Sequence, residues 1–298
     1  MSNSTNNSSQ NAPKGALKGS DYNTSCQPTW CPGCGDFGIW TAIKNALAEL
    51  KIPSHNVAIV YGIGCSGNMA NTIKCYGFHS LHGRTLPVAV GIKLANHKLK
   101  VLAVAGDGDA YGEGLNHLVH TARYNSDITY IICNNHSFSL TTGQSSPTSD
   151  LGYISKTTPW GEIKQPLNPL ALSISAGATF VARGAAFEIQ HLTNLIKQGI
   201  KHQGFAHIDV LQQCVTFNKL NTIEWYKKRI YKLEERGHRI NNKKLAWAKA
   251  QEADKLPIGV FYQSQKPVYR NGFEQLKGRA LVKSAINFNK QKLIKEFK

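Results

Sequence analysis

Four thiols, a carboxylate and a carboxamide carry the chemistry this chain can do. Cys31 and Cys34 form a CxxC pair, while Cys65 and Cys214 stand alone, each just after a short apolar run at 57–61 and 205–211. Thiolates bind zinc, build iron–sulfur clusters or exchange disulfides, and the CxxC by itself leaves all three open. Two further thiols at the ends of strand-like runs favour a cluster, which takes four. Asp107 in Gly106-Asp107-Gly108-Asp109 and Asn135 in Asn134-Asn135 likewise follow apolar runs, at 101–105 and 128–133. A few hard oxygen ligands with room left for phosphate suit Mg²⁺ rather than zinc. A calcium loop is excluded, because the twelfth position from Asp107 is Leu118, where a bidentate Glu would be required.

These residues need a frame that gathers them. The apolar runs 57–61, 101–105, 128–133, 179–182 and 205–211 read as buried strands. Between them Leu115, Leu118, Val119 and Ala122 have helical spacing, as do Leu192, Leu195, Ile196 and Ile200. Alternation of such strands with helices predicts an α/β fold, a parallel sheet flanked by helices on both faces. Ligands of such sheets collect at the carboxyl ends of the strands, and there Cys65, Asp107, Asn135 and Cys214 all fall. The Ser/Thr/Pro/Gly-rich stretch 143–169 is too long for a plain connection and reads as a functional loop. Beyond Cys214 the pattern predicts a basic helix over 223–239 and then an irregular Lys-rich tail.

Composition narrows the class. The 298 residues with 41% hydrophobic content suffice for one large domain with an appendage. The start, MSNSTNNSSQ, lacks the basic flank and apolar centre of a secretory signal, and no apolar run reaches the roughly 20 residues of a membrane span. A cytoplasmic location is expected, with no membrane association. Seven cysteines are an odd set for disulfides and suit a reducing compartment. Net charge is +17, and residues 219–298 hold 20 Lys and Arg against 7 Asp and Glu, so +13 of it lies there. Without zinc-finger spacing, an RNA-recognition signature or a helix-turn-helix pattern, no nucleic acid partner is expected. His97, His117 and His191 are isolated and read as ordinary surface or core residues.

The segments WCPGCGDFGI (30–39), GIGCSGN (62–68), YGFHSLHGR (76–84), GDGDAYGEG (106–114), NNHSFSLTTGQSSPTS (134–149), KTTPWG (156–161), NPLALSISAGATFVARG (168–184) and DVLQQCVTFN (209–218) are similar to the β subunit of 2-oxoacid:ferredoxin oxidoreductases. The likeness runs from about Tyr22 to about Arg270. It implies a 4Fe-4S cluster on Cys31, Cys34, Cys65 and Cys214. It also implies thiamine diphosphate with Mg²⁺ on Asp107, Asn135 and the backbone carbonyl of Ser137. Ile63, Gly64, Cys65, Ser66, Gly108 and Asp109 match diphosphate-binding loop positions. Ser139 and Leu140 follow the metal-binding turn, and His82 is a cofactor or substrate contact. Cys26, Cys75 and Cys133 stay unassigned, Cys133 reading as core packing.

The organisation that follows is a disordered 1–21, a thiamine diphosphate-binding domain with its cluster over 22–214, and a basic C-terminal region over 215–298. The implied activity is decarboxylation of a 2-oxoacid with transfer of the acyl group to coenzyme A, electrons passing through the cluster to ferredoxin. The glutamate that activates thiamine comes from the α subunit in this family, so no catalytic residue is assigned to this chain and a heterodimer or heterotetramer is expected. Asn68, Leu140 and Thr142 match substrate positions. Asn68 and Thr142 stand where relatives often carry a cation, which favours a small 2-oxoacid such as pyruvate while leaving 2-oxoglutarate open. Two other readings remain: a thiamine-dependent decarboxylase or synthase without electron transfer, and a zinc-stabilised nucleic-acid-binding scaffold.

Overall fold

The computed structural model describes residues 16–284 and 289–297. In chain order the elements are α1 (Asp36–Glu49), β1 (Val57–Tyr61), β2 (Tyr76–His79), α2 (Thr85–Ala95), β3 (Lys100–Gly106), α3 (Leu115–Tyr124), β4 (Ile128–Asn134), β5 (Ser137–Phe138) and β6 (Gln144–Ser145). There follow α4 (Pro169–Ala176), β7 (Phe180–Ala185), α5 (Ile189–Lys201), β8 (Phe205–Leu211), α6 (Ile223–Lys227), β9 (Ile230–Lys232), α7 (Lys243–Ala250), β10 (Leu256–Gln263) and α8 (Lys290–Lys295).

Eight strands form one sheet in the order β2-β1-β3-β4-β8-β7-β10-β9, while β5 and β6 make a small hairpin beside it. From β2 to β7 all neighbours are parallel, with Gly106 opposite Cys133 and Asn134 opposite Leu211. Alternate side chains along each strand point to opposite faces, and each face carries its own core. On one, Ile59, Leu102, Val104, Ile131, Ile208 and Val210 meet Ile39, Ile43 and Leu47 of α1 and Leu192, Leu195 and Ile196 of α5. On the other, Val60, Ala103, Ala105, Tyr130 and Ile132 meet Leu86 of α2, Leu118 of α3, Leu170 and Ile174 of α4 and Ala246 of α7. The parallel sheet covered on both faces is thus as the periodicity requires. No helix among the described residues is long and apolar enough to cross a membrane.

The C-terminal region differs from expectation. The helix predicted over 223–239 stops at Lys227, and Ile230–Lys232 instead pairs with Leu256–Ile258 as the edge strand β9. Ile230, Tyr231 and Leu233 fit either period, and strand pairing overrides a weak helical preference. The tail is not irregular. Asn242 caps α7 by accepting from Leu245 N–H, and β10 joins the main sheet antiparallel to β7. Pro257 and Gly259 disguise β10 in the sequence; Gly259, at φ 121°, sits where a Cβ would lie 2.6 Å from Glu234 Oε2. The edge strand β2 was also not anticipated, its four residues being exposed. Of the expected lead-in, 1–15 lies outside the described residues; Leu17 packs on the core and Gly19–Tyr22 forms a helical turn that buries Tyr22.

Candidate active site and cysteine-lined cavity

The carboxyl ends of β1, β3 and β4 converge on a cavity of about 510 Å³. Its wall holds Ile63, Gly64, Cys65, Ser66, His82, Asp107, Gly108, Asp109, Asn135, Ser137, Ser139 and Leu140. Asp107 follows β3 directly and is buried, 1% exposed. Its Oδ2 accepts from Ser146 Oγ and from Thr148 Oγ1 at 2.7 Å, bonds that reach in from the loop after β6. Burial pushes its carboxyl above the ordinary range, as happens to an acid withdrawn from water without a cation beside it. Asn135 Oδ1 accepts from Ser137 N–H at 3.1 Å across His136, whose φ of 59° turns the chain back toward the cavity. Asp107, Asn135 and Ser137 therefore offer hard oxygens on one wall, a donor set that fits Mg²⁺.

The glycine-rich turns are fixed by Asp109. Its Oδ1 accepts from Ile63 N–H at 2.9 Å and Gly83 N–H at 3.0 Å, its Oδ2 from Thr85 Oγ1 at 3.2 Å, and His82 Nδ1 stands 3.0 Å from Oδ1. The Ile63 amide is thereby committed within the protein. Gly64, at φ 143°, has open space around a virtual Cβ, and Ser66 Oγ is buried without a partner. Gly108 opens a π-helical turn, Gly108–Glu113, a local irregularity frequent at functional sites. A Cβ on Gly108 would lie 2.3 Å from the Phe138 ring. An anionic group fits such a side-chain-free surface with an unpaired hydroxyl beside it.

Cys31, Cys34, Cys65 and Cys214 line one adjoining cavity of about 680 Å³, together with Trp30, Asn68, Leu140, Val215 and Phe217. Two bonds hold the CxxC turn against the end of β8: Gly35 N–H to Gln213 O at 3.4 Å and Gln213 Nε2 to Gly33 O at 3.0 Å. Trp30 Nε1 donates to Cys65 O at 2.8 Å and ties that turn to the loop after β1. Two sulfurs meet three donors: Thr216 Oγ1 to Cys31 at 3.1 Å, Ser139 Oγ to Cys214 at 3.2 Å and Phe217 N–H to Cys214 at 3.4 Å. Burial, then the negative charge of Asp36, Cys214 and Cys31, pushes the Cys65 thiol up to about 12. Burial also raises Cys34 strongly. Among the described residues no cation lowers the Cys34 or Cys65 thiol, and iron would supply the positive charge that thiolates need. Among the described residues no group of three or more His, Cys, Asp or Glu closes on a single metal position, so the thiols surround a space instead of meeting at a point.

Five residues, Asp36, Cys65, Asn135, Ser139 and Leu140, line both cavities. Asp36 was not singled out from the sequence. It opens α1 two residues after Cys34, is 1% exposed, receives the Cys34 thiol at 3.4 Å on Oδ2 and leaves Oδ1 unpaired. Burial pushes its carboxyl up to about 6. Cys133 is buried in β4, as expected of packing, but also reaches the first cavity. Thr142, exposed and at φ 80°, lines neither cavity, whereas its neighbour Thr141 lines the first. Cys26 and Cys75 do not line the cysteine cavity.

The fold and the first cavity define a thiamine diphosphate-binding domain, and residues 57–210 match the model described as "Thiamine pyrophosphate enzyme, C-terminal TPP binding domain". Residues 214–278 match the model for the C-terminal part of the pyruvate ferredoxin oxidoreductase β chain. The 2-oxoacid:ferredoxin oxidoreductase subunit beta of Saccharolobus solfataricus is 47% identical over 249 residues, covering 79% of this chain and 82% of its own. The 2-oxoglutarate synthase subunit KorB of Methanothermobacter marburgensis is 37% identical, over 80% of this chain and 84% of its own. Among solved structures, the 2-oxoglutarate:ferredoxin oxidoreductase from Magnetococcus marinus, with 2-oxoglutarate, coenzyme A and succinyl-CoA bound, superposes with TM-score 0.87 at 36% identity, covering 95% and 96% of the two chains. The chain belongs to the β subunits of the 2-oxoacid:ferredoxin oxidoreductases. It is thus an oxidoreductase subunit with a thiamine diphosphate-binding domain.

Proposed function

We propose that this subunit and its α partner oxidatively decarboxylate a 2-oxoacid with coenzyme A to acyl-CoA and CO₂. Electrons leave through a 4Fe-4S cluster on Cys31, Cys34, Cys65 and Cys214 to ferredoxin. The single observation that carries this is the wall of five residues common to the two cavities. A non-redox decarboxylase has no use for four thiols against its cofactor.

When bound, thiamine diphosphate supplies the nucleophile for the 2-oxo carbonyl and a sink for the electrons of decarboxylation, and the cluster an acceptor for single electrons. The chain binds and orients. Asp107, Asn135 and the Ser137 carbonyl hold Mg²⁺, Ser146 and Thr148 fixing the carboxylate. Gly64, Cys65, Ser66, Gly108 and Asp109 present backbone to the diphosphate, while the Asp109 side chain keeps these turns and His82 in register. Ser139 and the half-exposed Leu140, both on the wall of the first cavity, would flank the cofactor. Asn68, at the cysteine cavity, contacts substrate without supplying a cation. That suits a small 2-oxoacid such as pyruvate, although the Methanothermobacter relative is named for 2-oxoglutarate and the superposed structure holds it.

The activating glutamate comes from the α subunit. Exposed Tyr76, Phe78, Leu81, Ile154, Trp160 and Ile163 are apolar surface that a partner chain would cover. Seven free cysteines persist in a reducing cytoplasm.

The test is anaerobic co-expression with the α subunit, assaying iron, sulfide, thiamine diphosphate and coenzyme A-dependent dye reduction with pyruvate and with 2-oxoglutarate. About four irons are expected per β subunit, and dye reduction is lost with Cys214→Ser. Acyl product formed at the full rate by an iron-free preparation sinks the redox reading.

A further inference from the structure

A cationic stretch next to the cysteine cavity follows from the path of the chain after β8. β10 runs antiparallel to β7 and β9 parallel to β10, so β9 begins at the same edge at which β8 ends. Residues 215–229 therefore run along the carboxyl rim from Cys214, past the ends of β7 and β10, to Ile230. Three strand spacings, roughly 14 Å in all, separate β8 from β9.

This ledge is cationic. Lys219, Lys227 and Lys228 are exposed on it, and Glu224 is the sole acid of 215–229. Lys219 Nζ donates to the carbonyl of Val215, the neighbour of Cys214. At the far end Lys228, Arg229, Arg236, Lys249 and Lys255 wall a depression of about 860 Å³. Its one acid, Glu252, is already held by Lys249 Nζ at 2.7 Å and Tyr231 OH at 2.7 Å. Among the described residues no carboxylate lies within ion-pair distance of Lys219, Lys228 or Lys255. At the near end the cysteine cavity reaches solvent, since Cys31, Val215 and Thr216 are exposed.

We propose that the ledge 215–229, extended by Lys255, is the docking surface of a small acidic one-electron carrier protein, which it seats over the opening at Cys31 and Val215. This deepens the function proposed above and rests on the four cysteines holding a cluster. Exposed lysines are flexible, strongly hydrated charges that steer and orient an anionic partner while adding modest affinity, the property a carrier that must leave again requires. They are depleted from the dry cores of permanent interfaces. At this contact the carrier gains the single electron that the enzyme loses, and no bond forms or breaks.

The test uses the anaerobic αβ enzyme with Lys219→Glu, Lys228→Glu and Lys255→Glu combined, against a control with Lys98→Glu and Lys201→Glu near the starts of β3 and β8. Acceptors are a purified ferredoxin of net negative charge and a small viologen dye. At low salt kcat/KM for ferredoxin falls roughly tenfold in the triple variant and its salt dependence flattens. Dye reduction, iron content and KM for coenzyme A stay at the wild-type level, and the control behaves as wild type. Glutamine at the same three positions gives an intermediate loss, which separates charge from misfolding. Ferredoxin kinetics equal to the control overturn the docking surface, as does a raised KM for coenzyme A with ferredoxin unaffected, which assigns the ledge to coenzyme phosphates. Absence of iron from the wild-type enzyme sinks the cluster reading itself, and the docking surface with it.

Discussion

Ser139 Oγ donates to Cys214 Sγ across 3.2 Å, and Ser139 also lines the neighbouring cofactor cavity. A hydrogen bond to a ligand sulfur stabilises the reduced, more negative cluster and raises its potential. Ser139→Ala should lower the midpoint by up to about 40 mV, the one-electron equivalent of a bond worth about 1 kcal/mol. Ser139→Thr keeps the donor and should leave it near wild type. An EPR-monitored redox titration reads both.

Two buried groups give the cluster-free protein opposing pH dependences. Burial raises Asp36 from 3.8 to about 6, so between those values the folded state binds more protons than the unfolded one and stability falls as pH rises. His207, also buried, is lowered from 6.5 to about 4, so stability is lost as pH falls from 6.5 toward 4. Each is worth about 3 kcal/mol at most. Relative to the wild type, Asp36→Asn should therefore lose stability on acidification from pH 6 to 4.5, and His207→Gln should gain it. Urea titrations across that range measure the three slopes.

Gly108→Ala should weaken thiamine diphosphate binding and cost about 1–3 kcal/mol of stability, because its Cβ meets the Phe138 ring at 2.3 Å. Adding Phe138→Leu opens the space and should restore part of both. Calorimetric titration with the cofactor and Mg²⁺, beside thermal melts, would show it.

Thr148→Val removes the hydroxyl 2.7 Å from Asp107 Oδ2 while keeping shape. Second partners of a metal ligand typically tune affinity by about 10–100-fold. Mg²⁺ affinity, measured by titration in the presence of thiamine diphosphate, should fall at least tenfold with folding intact.

Asp107, Asn135 and Cys214 could be placed on one edge from sequence, because strands buried on both faces are continuous apolar runs and the polar residue ending each run marks the rim. Asp36, Ser146 and Thr148 could not. An acid in the first turn of a helix ordinarily reads as a solvated partner of the helix dipole, and only its place beside the CxxC hinted otherwise. The two hydroxyls arrive from a loop whose path is set by tertiary contacts. Similarly, β10 was hidden because Pro257 and Gly259 are poor strand formers, tolerated here by pairing and a register shift at Val260/Tyr262.

The two chambers share a party wall to which Asp36, Cys65, Asn135, Ser139 and Leu140 all contribute. On the proposed cluster assignment, air that strips iron from one room would leave a hollow against the occupant of the other. Oxidative damage to the metal centre should register as faster escape of the vitamin-derived coenzyme before the protein itself unfolds.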